Sequence, residues 1–137
     1  MPLVRISLAA HRDAAFRRAA ADAVHRALVG AIGVPEGDRF QIIARSEEVI
    51  YDPSFLGVER GEGFMVVEIH LTFGRTVELK KALFAAIARE LEASCGVRPQ
   101  DVFVNLVEMA RENWSFGNGI AQYADAPPPH LAGAGAR

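Results

Sequence analysis

Phe64-Met65-Val66-Val67-Glu68-Ile69-His70-Leu71-Thr72-Phe73 is the stretch on which the fold turns. Met65, Val67, Ile69, Leu71 and Phe73 fall on every second position, which predicts a strand with one apolar face. Gly74-Arg75 turns the chain, and Thr76 is placed to N-cap a helix with Glu78 in its first turn. Leu79, Leu83, Ile87 and Leu91 supply that helix with an apolar stripe. Gly96 marks its end, and Val102-Phe103-Val104-Asn105-Leu106-Val107 reads as a second strand. A strand–helix–strand unit implies two parallel strands joined by a right-handed crossover.

The same unit occurs earlier in the chain. A shift of 63 positions lays Arg12 on Arg75, Gly33-Val34 on Gly96-Val97, Asp38 on Asp101 and Phe40 on Phe103. Ala20, Val24 and Leu28 fall on Leu83, Ile87 and Leu91. The first copy predicts a strand over about 2–8, a helix over about 12–32 with Phe16, Ala20, Val24, Ala27 and Ala31 on its apolar side, and a strand from Arg39 to Ala44. Two such units side by side predict an α+β fold: tandem βαβ halves, about 2–44 and 64–108, forming a four-stranded sheet with two helices on one face. The uncovered face calls for self-association.

Residues 45–63 are a long connector, with a short extended piece expected at Val49-Ile50-Tyr51. Residues 109–125 read as turns, Asn118-Gly119 being a turn signal. One domain is expected over 1–125. The proline-, glycine- and alanine-rich stretch 126–137 is expected to be a flexible tail.

Composition narrows the function classes. Half of the 137 residues are hydrophobic, enough for a real core, and the formal net charge is -2. Both signs are dispersed without a basic block, so no nucleic-acid partner is expected. No apolar run is long enough to span a membrane and no signal peptide is visible, so a cytoplasmic location is expected. The single cysteine, Cys95, excludes an intrachain disulfide and reads as a small buried hydrophobe. No histidine pair has metal-ligand spacing. Gly117-Asn118-Gly119 follows no βα turn and lacks a third glycine, so it is not a dinucleotide fingerprint.

Chemistry points to the start of the chain. Pro2 follows the initiator methionine, which is normally removed before so small a residue. The mature chain then begins with a prolyl secondary amine at the head of a strand. Burial disfavours the charged form of an amine and lowers its pKa, which suits it to proton transfer near neutral pH. A proline at a strand start also has a purely structural explanation.

A repeated βαβ unit headed by Pro2 resembles the tautomerase superfamily. The stretch from Gly33 to Phe40, the Gly74-Arg75-Thr76 turn and Trp114-Ser115-Phe116-Gly117 are most similar to its long-chain branch, which includes malonate semialdehyde decarboxylases. The resemblance covers about residues 2–125. It implies a homotrimer, no metal and no organic cofactor, and a small carboxylate substrate. It makes the Pro2 nitrogen the reacting group, either shuttling a proton between an enol oxygen and carbon or polarising a carbonyl while a carboxylate leaves.

Arg75 is the candidate for holding the substrate carboxylate, since a guanidinium fork offers two parallel hydrogen bonds. Some decarboxylases of this group carry a second arginine nearby; here Thr76 and Val77 follow instead, a departure from that clamp. Asp38 is the candidate for orienting a water or carbonyl, although a turn cap explains it equally, as it does Asp101. Trp114 and Phe116 are candidates for an apolar wall around the amine. His25 is a candidate substrate contact because related dehalogenating members have a histidine in a similar setting; a packed histidine with one hydrogen bond is the plainer explanation. Three functions stay open at this point: tautomerisation of a keto or enol acid, decarboxylation of malonate semialdehyde or a similar 3-oxo acid, and a non-catalytic binding or assembly module that keeps Met1.

Overall fold

The computed structural model describes residues 1–131. Its principal elements are β1 (Leu3–Ala9), α1 (Ala14–Ile32), β2 (Phe40–Ser46), β3 (Met65–Thr72), α2 (Val77–Cys95) and β4 (Val102–Met109). The sheet order is β2-β1-β3-β4. Within each half the strands are parallel, and the halves join through antiparallel β1 and β3. This is the expected four-stranded α+β arrangement of two βαβ units.

The repeat is visible in the caps. α1 and α2 each have 19 residues. Asp13 caps α1 by accepting from the Phe16 amide at 2.8 Å, and Thr76 caps α2 by accepting from the Leu79 amide at 3.2 Å. Gly33 and Gly96 end the helices in the left-handed region, with φ of 69° and 66°. Such backbone is strained for a residue with a Cβ, so glycine fits there.

Val4, Ile6 and Leu8 of β1 and Met65, Val67, Ile69 and Leu71 of β3 are buried with Val24, Leu28, Leu83, Ile87 and Leu91 of the two helices. Register puts Ile43 beside Ile6, and Val104 beside Val67, so the outer strands extend that core. The opposite sheet face carries Phe40 and Phe103, 49% and 47% exposed. These two residues are equivalent under the repeat.

The structure adds detail at three places. Val49–Tyr51 forms no strand; the connector is instead pinned by Tyr51, whose hydroxyl donates to the Gly61 carbonyl at 2.8 Å and whose ring stacks on Phe64 at 4.4 Å. β2 and β4 run two residues further than the alternation implied, to Ser46 and Met109. Residues 126–131, expected in the flexible tail, include a buried Pro128 and a short 3₁₀ turn over Pro129–Leu131. Three consecutive prolines, with φ fixed by their rings, make such a segment cheap to order. The rest of that tail, 132–137, lies outside the described residues.

Candidate active site

Topology gathers the candidates at one end of the sheet. β1 begins there beside the start of β2, while β3 and β4 finish there. The chain start, the turn before β2, the turn after β3 and the segment after β4 therefore meet.

The Met1 ammonium forms an ion pair with the Asp38 carboxylate, and the Met1 side chain is buried. Burial pushes this amine below its usual range; Asp38 opposes that shift and Arg75 adds to it. Met1 stands one residue ahead of the prolyl nitrogen, so its amine stands in for the one that processing would leave on Pro2. The buried methionine occupies space beside Asp38 that processing would vacate.

Arg75 is only 8% exposed. Its Nη1 donates to the Thr72 carbonyl at 2.9 Å, while its Nε is buried with no partner among the described residues. Burial draws the guanidinium below its usual range, with Glu108 and Asp38 acting the other way. A buried guanidinium nitrogen without a partner is costly unless something accepts from it. Arg75 borders a cavity of about 460 Å³ with Phe73, Lys80 and Glu108, the last two joined as an ion pair.

A second cavity, about 540 Å³, is bordered by Met1, Asp38, Phe40, Phe116, Tyr123 and His130 among others. Phe116 stacks on Trp114 at 5.7 Å and meets the Tyr123 edge at 5.5 Å. Phe116 thus reaches the cavity directly, and Trp114 backs it from behind. The Trp114 indole nitrogen is buried without a partner among the described residues.

The structure thus brings the chain start, Asp38 and Phe116 to one cavity, while Arg75 borders the other and is felt electrostatically by the Met1 amine and Asp38. His25 does not join them. Its Nε2 donates to the Glu36 carbonyl at 2.8 Å, which ties α1 to the turn before Asp38. The role its geometry supports is that of a packed histidine, one step removed from the cavity. Tyr123 and His130 also border this cavity, and no sequence signal marks them. Neither sits in a periodic element, and His130 lies in a stretch whose composition reads as disorder.

The tandem βαβ fold thus sets its amino terminus, a carboxylate and a buried arginine at one end of the sheet. A family model described as "Tautomerase enzyme" matches residues 38–117, a span that includes Asp38, Arg75, Trp114 and Phe116. The probable tautomerase YusQ of Bacillus subtilis (strain 168) is 40% identical over 124 residues, covering 89% of this chain and 98% of the relative. A solved FG41 malonate semialdehyde decarboxylase, inhibited by 3-bromopropiolate, is 42% identical with a TM-score of 0.83, covering 88% of this chain and 93% of the other. A fused 4-OT described as a symmetric trimer is 28% identical with a TM-score of 0.68, covering 96% and 97%. The chain belongs to the tautomerase family and is an enzyme of the isomerase or related lyase kind.

Proposed function

We propose that this chain is a cofactor-free tautomerase that acts on a small keto or enol carboxylic acid through the prolyl amine of Pro2, freed by removal of Met1. The observation that carries the reading is the chain-start amine, paired with Asp38 in a buried setting within range of the Arg75 charge. In ketonisation the neutral amine takes the enol proton and the resulting ammonium delivers one to carbon, so the amine is regenerated each turnover. Arg75 holds the carboxylate through the nitrogen that now lacks a partner. Asp38 orients the amine and Phe116, backed by Trp114, limits water. Positioned proton transfer contributes about 10²–10⁴-fold, and preorganised charge adds a similar factor.

Decarboxylation is the second reading, favoured by the 42% identical malonate semialdehyde decarboxylase. There the charged prolyl nitrogen polarises the 3-oxo group, the bond to the carboxyl carbon breaks, its electron pair forms an enolate, and protonation gives the aldehyde and carbon dioxide. Phenylenolpyruvate ketonisation measured against malonate semialdehyde consumption separates the two.

The test of the shared claim is Pro2→Ala together with the intact mass of the purified chain. Loss of turnover in Pro2→Ala and a mass lacking methionine support it. Undiminished turnover in that variant overturns it, and a mass retaining Met1 favours a non-catalytic binding module. A homotrimer belongs to the same proposal: Phe40 and Phe103 are exposed on the open sheet face, and the fused 4-OT relative is a trimer.

A further inference from the structure

The last described segment returns to the cavity at the chain start. Pro128 is buried, Leu131 is half-buried, and the Leu131 amide donates to the Pro128 carbonyl at 2.9 Å. Between these anchors His130, itself an exposed residue, lies on the rim of the same cavity as Met1, Asp38 and Phe116. Its imidazole makes no hydrogen bond to any group among the described residues. Partial burial holds the imidazole below its usual range; the chain-start amine and Arg75 push the same way, and Asp38 opposes them. A neutral imidazole offers one donor and one acceptor. It can therefore bind an oxygen without competing with Arg75 for the carboxylate.

We propose that His130 is a substrate-binding residue that hydrogen-bonds the oxo or enol oxygen of the bound acid from the cavity rim, while Arg75 takes the carboxylate. This rests on the reading above, in which an oxo acid occupies the site. The Pro127-Pro128-Pro129 run presets the strap, so little ordering entropy remains to be lost when substrate arrives. The two polar ends of the substrate are then held by different residues. Arg75 selects for a carboxylate and His130 for an oxygen beside it, so a plain carboxylic acid satisfies only one of them.

The experiment has a kinetic and a spectroscopic arm, both on the full chain. In phenylenolpyruvate ketonisation, His130→Phe is expected to raise KM about tenfold, the scale of one lost neutral hydrogen bond. His130→Gln, which keeps a donor and an acceptor, restores KM to within about threefold. Wild-type levels of KM in His130→Phe, or an equal defect in both variants, would overturn the proposal. In imidazole ¹H–¹⁵N spectra, phenylpyruvate is expected to move the His130 resonances and 3-phenylpropionate, which lacks the oxo group, to leave them in place. No movement with phenylpyruvate, or equal movement with both acids, overturns it too. Pro2→Ala runs alongside: full turnover there removes the prolyl reading, and the spectra then decide on His130 by themselves.

Discussion

Asp38 and Asp101 hold equivalent places in the two halves, yet they meet different nitrogens. Asp101 accepts from the Gly61 amide at 2.7 Å and from Arg98, fixing a continuous chain ahead of β3. Asp38 meets a free amine because the first half begins there. A carboxylate that caps a turn in one copy has become the counter-charge of an ionisable group in the other. Asp38 raises the amine pKa against the stronger effect of burial. Asp38→Asn removes that support, so the amine keeps its proton only to a lower pH. If the neutral amine is the working form, the acid limb of kcat/KM moves to lower pH. If the charged amine is the working form, the alkaline limb moves to lower pH and activity at neutral pH falls. A pH–rate profile of this variant on both substrates therefore checks the assignment of Asp38 and tells the two chemistries apart; profiles that superimpose on the wild type would remove Asp38 from the site. Arg75 is expected to act on binding. Arg75→Ala should lower kcat/KM by about 10–100-fold, mostly through KM, as for loss of a charge-assisted hydrogen bond. Steady-state kinetics with a carboxylate substrate and with its ester would show whether the loss depends on the substrate's charge.

At the level of the element, the two helix starts make a controlled comparison. Asp13 and Thr76 cap α1 and α2 in the same geometry, with N-cap ψ of 173° and 164°. Replacing either with alanine should cost about 1 kcal/mol of stability. Thr76 also follows Arg75 directly, whereas Asp13 follows Arg12, which lies over the Phe16 ring at 4.3 Å. Thr76→Ala is therefore expected to lower kcat/KM more than Asp13→Ala although both lower the denaturation midpoint alike. Equal activity in the two variants would show that the α2 cap does not help to place Arg75. These elements were legible because local rules agree with the tertiary structure: alternation in β3, a capping threonine, a stop glycine, and the same grammar 63 residues earlier. Asp38 and Arg75 could be singled out because they sit at the joints of that grammar. The place of His25 beside the α1 stripe says nothing about its partner, the Glu36 carbonyl. His130 was hidden because a run of prolines, glycines and alanines carries no periodic signal, and the surface that holds Pro128 is built from distant parts of the chain.

A single copy of this molecule is well packed on one side of its sheet only. The two helices cover Val4, Ile6, Val67 and Ile69, while Phe40, Ile42, Phe103 and Val107 stay exposed on the other side. The connector adds Ile50 and Leu56, 89% and 81% exposed. Burying a phenylalanine side chain is worth about 1.5–3 kcal/mol, so a face of this kind gains substantially from a second copy. Phe40 and Phe103 are related by the repeat, which gives each chain two similar apolar patches, and a ring can close by matching the patch of one half to that of the next. Phe103→Glu puts a charge on this face at a position that borders neither the Asp38 cavity nor the Arg75 cavity. If copies assemble as the proposed trimer, this variant should sediment as smaller species while the far-UV spectrum of the fold stays in place. If the trimer is also what completes the site, turnover falls along with the assembly and returns at high protein concentration. A Phe103→Glu chain that sediments as the wild type would mean that this face is not where copies meet.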